Sequence, residues 1–378
     1  MKKILDVNLH KKLKRKKRIK RYIVVFFVFI SFFAVIFIVW QVSLKRFILK
    51  DNGKNFPILF SGDSVLGFEK TKNGFCVLTN SYFNFYRKDG HNLKSIANIS
   101  PKTQIVGIDG KVLFYEKGAK NFSIYEDCRE IFSGVLENPI VFGKIFKNNY
   151  YAFVTNSENY SCELVIYNNK NRQIFKWSSA KNYIVDFDIL KDSNKCIVAT
   201  FGTTKEGICK SFIYELDFKS CREKIKKDFL NKAPIAIKKF GSFVVFVCDS
   251  TTFFINYSTN DFKTIDYGKN LLNFELMDGG YFVGYFKNFE KDNFSEILMV
   301  YDKFGDKKAE YRTNEKIRKI KSFDGDILIL TDEHILHSDV NLKKINKIKN
   351  FDGVEDIIYE KPYLYFVSMN KLNRFLLK

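Results

Sequence analysis

Residues able to do chemistry are few in this sequence and poorly grouped. Its 4 histidines include one close pair, His334 and His337. Three positions apart on a strand, they point to opposite faces and cannot share one metal ion. The seven cysteines are Cys76, Cys128, Cys162, Cys196, Cys209, Cys221 and Cys248, with no Cys-x-x-Cys pair among them. Zinc takes clustered thiolate or imidazole ligands, so no zinc site is expected. The odd count leaves at least one thiol unbridged and gives no disulfide framework. Cys76 and Cys196 lie inside apolar runs, where buried small hydrophobes belong. Asp186 and Asp188 would share one side of a strand and could in principle serve glycosidic chemistry. Carboxylates on sheet surfaces are common, and the plainer reading is two polar residues near the start of a strand. No nucleophile sits in a Gly-rich elbow, and no GxxxxGK phosphate loop occurs. No catalytic, cofactor-binding or metal-ligating residue is expected.

The elements that would position any such residue begin with charge. Residues 1–21 carry eleven Lys/Arg and one Asp, residues 22–44 carry no charge, and residues 45–378 carry 52 basic and 41 acidic residues. Nearly half of the net +21 therefore lies in the first 21 residues. Tyr22 to Leu44 is apolar all round and, as a helix, long enough for a hydrocarbon core of about 30 Å. Its length, and the absence of a small-residue site after Val39–Trp40–Gln41, point to an uncleaved anchor. The basic block before it sets the N-terminus inside the cell and the large C-terminal part outside. That block abuts the span without interleaved aromatics, which favours attraction to anionic headgroups over nucleic acid.

Beyond a linker at 45–55, turn signals recur in phase. They are Asn73–Gly74, Asp109–Gly110, Asn148–Asn149, Ser193–Asn194, Gly241–Ser242, Asp278–Gly279, Asp324–Gly325 and Lys361–Pro362. Each precedes an apolar strand: Phe75–Thr79, Val112–Glu116, Tyr151–Thr155, Cys196–Thr200, Val244–Cys248, Tyr281–Tyr285, Ile327–Thr331 and Tyr363–Val367. The mean spacing is about 41 residues, the repeat of a four-stranded propeller blade. The aromatic content of 17%, with 41 Phe and 20 Tyr, suits such pleated, half-buried surfaces. The expected fold is all-β: one N-terminal transmembrane helix, then an extracellular β-propeller over 56–378. Eight blades are expected, or seven if two weak units merge. The last unit stops one strand short, and Phe56–Phe60 is placed to supply it, closing the ring and removing exposed edges.

Several segments also resemble a known family. Phe56–Pro57, Leu78–Thr79–Asn80, Ser100–Pro101, Leu113 to Gly118, Val165–Ile166–Tyr167, Trp177–Ser178–Ser179 and Tyr183–Ile184–Val185–Asp186 are similar to a clostridial family of unknown function, number 5711. The resemblance implies a basic start, one membrane span and a propeller of the WD40 or YVTN type. The sequence departs from the family pattern at Lys147–Asn148–Asn149–Tyr150, where a Ser-Gly turn is usual. Abundant Lys, Asn, Ile and Phe fit an AT-rich firmicute.

For function, the starts of the inner strands carry weight. Val65, Ile105, Ile140, Val185, Ile235 and Ile317 are all apolar, whereas an enzyme would place titratable groups there. The expectation is a non-catalytic binding or scaffolding module in the cell envelope, anchored in membrane lipid. Its partner would be an envelope protein or an anionic wall polymer, with no cofactor and no nucleic acid. The alternative is an envelope lyase or glycosidase working in the central funnel.

Overall fold

A computed structural model describes residues 55–377, apart from 61, 99, 191–193, 269, 289–293 and 350–352, together with Phe33. Among the described residues no helix is long and apolar enough to cross a membrane. The expected span at 22–44 falls outside them except at Phe33.

The unit Asn55–Lys378 is an eight-bladed β-propeller of eight four-stranded antiparallel sheets. In blades 1 to 7 the strands follow chain order from the innermost outward. All eight expected second strands are present. Gly74–Thr79 and Tyr151–Thr155 are buried at every position, because both faces of a blade pack against its neighbours. The outer strand Asn92–Ala97 is almost wholly exposed. The blade period is legible for that reason: apolar runs mark the middle strands, and turns mark their ends.

Turn chemistry agrees with the sequence in most blades. Asp109–Gly110 and Asp324–Gly325 have two successive positive φ values, the hairpin turn such pairs favour. At the Asn148–Asn149 turn, Asn149 takes φ 62, which asparagine tolerates. Asn73–Gly74 differs from expectation, since Gly74 opens the strand rather than the turn. Glycine is needed there for space: a Cβ would lie 1.9 Å from the Tyr86 carbonyl oxygen. At the far end of the second strand, Thr79 Oγ1 accepts the Tyr82 N–H at 3.0 Å, and Thr331 Oγ1 accepts that of His334 at 2.8 Å. These hydroxyls fasten the second-to-third turn.

The ring closes as expected. Ile58–Leu59 pairs antiparallel with Lys371–Leu376, opposite Leu372 and Lys371, as the outer strand of blade 8. Phe60 N–H then donates to the Asn370 carbonyl at 2.7 Å. Beneath this ladder Phe60, Leu372, Phe75, Tyr86 and Tyr365 share one core cluster spanning blades 8 and 1. Four thiols are buried (Cys76, Cys162, Cys196, Cys248), Cys128 and Cys209 are half-buried, and Cys221 is exposed. Burial pushes the Cys76 and Cys196 thiols well above their usual range.

Phe60→Ala and Leu372→Ala should each destabilise the protein by about 2–5 kcal/mol, as large-to-small core changes do. In the double variant the cost should fall short of the sum by about 0.5 kcal/mol or more, because the side chains share a cluster. Denaturant unfolding of the four proteins measures both quantities. Strict additivity would show that the two ends of the chain do not fasten one blade.

Candidate functional site

Each innermost strand is hydrogen-bonded only to its own second strand, so its other edge faces the central channel. Backbone groups on that edge need partners, and polar side chains from neighbouring blades provide them. From blade 1, Glu69 accepts the Gly107 N–H of blade 2, whose Tyr115 hydroxyl accepts that of Gly143 in blade 3. Lys144 of blade 3 donates to the Phe187 carbonyl at 3.2 Å and pairs with Asp186. Asp186 and Asp188 of blade 4 accept the Ile237 and Lys239 N–H groups of blade 5, at 2.9 and 2.8 Å. Lys238 of blade 5 donates to Leu276 O at 3.0 Å, and Asn273 of blade 6 to Arg318 O at 3.3 Å. Lys319 and Lys321 of blade 7 pair with Asp356 of blade 8 at 2.9 and 2.6 Å. Glu360 of blade 8 returns to Lys70 of blade 1, completing the circuit.

This corrects the picture drawn from the apolar strand starts. Ile140 and Ile317 are buried in the core, and the titratable residues follow two to four positions later. Asp186 and Asp188 do share one side of their strand, but both hold the backbone of blade 5. Sequence reasoning missed Glu69, Lys144, Lys321 and Asp356 as channel residues, and with them Glu275 of blade 6, which accepts the Ser322 hydroxyl of blade 7 at 2.6 Å. Their signal was charge inside otherwise apolar strands at equivalent blade positions. Burial, partly offset by Lys321, pushes the Glu69 carboxyl up to about 7. Burial likewise raises Asp188 to about 6, against the pull of the Lys239 N–H and Lys144.

The histidines part company as expected. His334 Nδ1 lies 3.0 Å from Glu315, while His337 Nε2 lies 3.1 Å from Asp326. Among the described residues one trio could offer metal ligands, Glu315, Glu333 and His334, with ligand atoms within 4.8 Å of one another. Glu315 already accepts a hydrogen bond from Thr331 at 2.6 Å and lies 3.7 Å from Lys347, so it ties two loops together.

The two faces of the disc differ. On one lie the first-to-second and third-to-fourth turns, and Asn55 joins them by donating to the Asp89 carbonyl at 3.1 Å. Here Lys147 of blade 3 meets Asp278 of blade 6 at 2.7 Å, an ion pair across the ring that bars this end of the channel. On the opposite face, seven of the eight inner strands carry a β-bulge at their start. The extra residues are Leu66, Val141, Val185, Ile235, Leu272, Arg318 and Glu355. Bulges at one register re-aim side chains, and four of these aliphatic ones are exposed, Leu272 by 52%. Of the eighteen exposed large hydrophobics in the described propeller, thirteen lie on this face and four on the Asn55 face.

Because Glu69 and Asp188 titrate above their ordinary values, the folded protein binds those protons more tightly than the unfolded chain. Their contribution to stability is present at low pH and lost as pH rises through about 6 to 7. Glu69→Gln should therefore raise the melting temperature near pH 8, leave it nearly unchanged near pH 5, and flatten the fall between them. A melting curve as steep in the variant as in the parent would sink this assignment.

No family model matches the chain, and no curated protein is similar to it. Among solved structures it is similar to the computationally designed protein Ika8, at 11% identity over 83% of this chain and 96% of that one, with a TM-score of 0.59. It is also similar to BamB from Moraxella catarrhalis, at 8% identity over 82% and 96%, with a TM-score of 0.53. The WD40 domain of SCAP from fission yeast aligns at 9% identity over 82% and 95%, with a TM-score of 0.52. At such identities the likeness is one of fold, an eight-bladed propeller with WD40-like neighbours.

Proposed function

We propose that this protein is a member of clostridial family 5711, anchored by residues 22–44, whose propeller lies outside the cell as a non-catalytic binding module of the envelope. The observation that carries the reading is the channel mouth on the face opposite Asn55. Seven bulges in register turn side chains out of the inner strands, and most of those side chains are aliphatic. A contiguous exposed apolar surface is the mark of a partner protein rather than of bond-breaking chemistry. The channel carboxylates are occupied in bracing the ring, which supports binding over catalysis. The uncharged stretch and the basic block before Tyr22 support the anchor and its orientation.

A photo-crosslinking residue at Ile235 or Leu272 should capture a protein in living cells, and one at Phe304 on the Asn55 face should not. Leu66→Asp combined with Leu272→Asp should abolish capture from Ile235 while leaving the melting temperature within about 2 °C, since both side chains are exposed. Equal capture from both faces, or none, would overturn the mouth as the binding surface. Orientation is read separately. Cys221 is exposed on the propeller, so a membrane-impermeant maleimide should label it on intact wall-stripped cells. Labelling only after lysis would place the propeller inside.

A further inference from the structure

The propeller's net charge is not spread over its surface. Residues 56–378 hold 48 basic and 40 acidic residues. The outer strands of the eight blades hold thirteen of the basic and five of the acidic ones. Every other position together is balanced, 35 against 35. The whole excess of +8 thus sits on the circumference of the disc. It is carried by Asn92–Ala97, Gln173–Ser179, Arg222–Leu230, Lys307–Thr313 and Asn346–Lys349. Blades 2 and 5 have one cation balanced by one carboxylate on their outer strands, and blade 8 has no charge there, its outer strand being Ile58–Leu59.

Outer strands are sheet edges, and lysine on an edge blocks pairing between molecules. Protection of that kind needs charge of either sign, and acidic residues are freely used elsewhere in this protein. The bias toward one sign is left to be explained by what the rim meets. Along a strand, alternate residues stand about 7 Å apart on one side, so Arg222–Leu230, Lys307–Thr313 and Asn346–Lys349 each offer a short row of cations, and the other charged outer strands offer one cation each. Most belt cations are engaged at home: Lys176, Lys226, Lys263, Lys307, Lys308, Arg312 and Lys347 pair with carboxylates, Lys263 with Asp306 at 2.6 Å and Lys308 with Asp302 at 2.8 Å. Lys94, Arg129, Arg222 and Lys224 stand exposed on three of the first four blades.

We propose that this belt, running over blades 1 to 7, binds an anionic polymer of the envelope with repeating phosphate groups. The inference rests on the extracytoplasmic reading above and assigns it a second partner at a second surface. A flexible polymer can follow a circumference, whereas a flat bilayer meets one face or one sector of the rim. Multiple weak phosphate contacts sum to useful affinity and make binding steeply salt-dependent.

The test uses the full chain in neutral detergent, with the eleven basic residues before Tyr22 replaced by glutamine so that the tail cannot bind the probe. The probe is soluble poly(glycerol phosphate), followed by fluorescence anisotropy at about 50 and about 200 mM salt. Changing Lys94, Arg129, Arg222 and Lys224 together to Glu should weaken binding at least about tenfold and make the salt dependence shallower. Changing the exposed far-face lysines Lys117, Lys120, Lys181 and Lys205 to Glu alters net charge equally and should cost less than about twofold. Circular dichroism confirms that both variants are folded, and edge protection survives because charge is kept. Equal losses in the two variants would reduce the effect to net charge and overturn the belt. Binding to phosphatidylglycerol vesicles but not to the polymer would overturn it in favour of lipid. Neither outcome touches the maleimide result on orientation, so the two readings fail separately.

Discussion

A strand at the centre of a propeller has a hydrogen-bonding edge with no further strand to pair it, and this molecule is organised around that deficit. An unpartnered buried amide or carbonyl costs roughly 1–3 kcal/mol, and eight inner strands present many of them. The answer here is a relay of side chains, each blade reaching to the next: Glu69 to Gly107, Asp186 to Ile237, Lys238 to Leu276, Asn273 to Arg318. Acidic side chains capture N–H groups and lysines capture carbonyls, so the charges must alternate in kind around the ring. Ion pairs such as Lys144–Asp186 and Lys321–Asp356 then settle most of the resulting field. Charge in the channel is thereby accounted for by architecture. Where the balance is incomplete, at Glu69 and Asp188, burial wins and holds the carboxyls above their ordinary range.

That relay also shows why the fold was legible in the sequence and the channel was not. Second strands such as Phe243–Cys248 are buried on both faces, so they read as unbroken apolar runs bounded by turns. Closure was legible too, because the last unit lacks a strand and an apolar segment stands ready upstream. The channel depends on register instead. A bulge between Ile184 and Asp186 adds one residue to the inner strand, and the same happens in six other blades. Period-two reasoning that begins at the strand's first residue therefore assigns the wrong side to everything after it. Contacts across the ring, such as Lys147 with Asp278, join residues from blades far apart in sequence. No local pattern announces them. The turn at Asn148–Asn149 shows the opposite case, where a turn without glycine still forms because asparagine accepts a positive φ.

The same geometry separates three surfaces by chemistry. The Asn55 face has its channel barred by an ion pair, the opposite face opens on bulged aliphatic residues, and the rim holds the net positive charge. These differences follow from which edges and turns each surface exposes. The inner-strand bulges occur at strand starts, so they decorate one mouth of the channel. Outer strands alone have edges open to solvent along the circumference, and they alone collect unbalanced cations.

Closure itself deserves to be weighed by magnitude. The outer strand of blade 8 is two residues long, whereas Arg222–Leu230 in blade 4 has nine. Two or three ladder hydrogen bonds contribute about 1 kcal/mol each, too little to hold a ring of this size shut. Burial of one Phe or Leu side chain contributes about 1.5–3 kcal/mol, and the seam offers several. The Phe56 ring packs at a tilt, 6.0 Å from Tyr365 and 6.4 Å from Phe75, and Arg374 lies 5.0 Å over it. Tyr365 donates to the Lys88 carbonyl at 2.9 Å, binding blade 8 to a turn of blade 1. The seam is therefore an aromatic lock with a short ladder to set its register. Its first residues, Asn55 and Phe56, are packed against the turns of blade 1, so the arriving chain is fixed to one face of the disc.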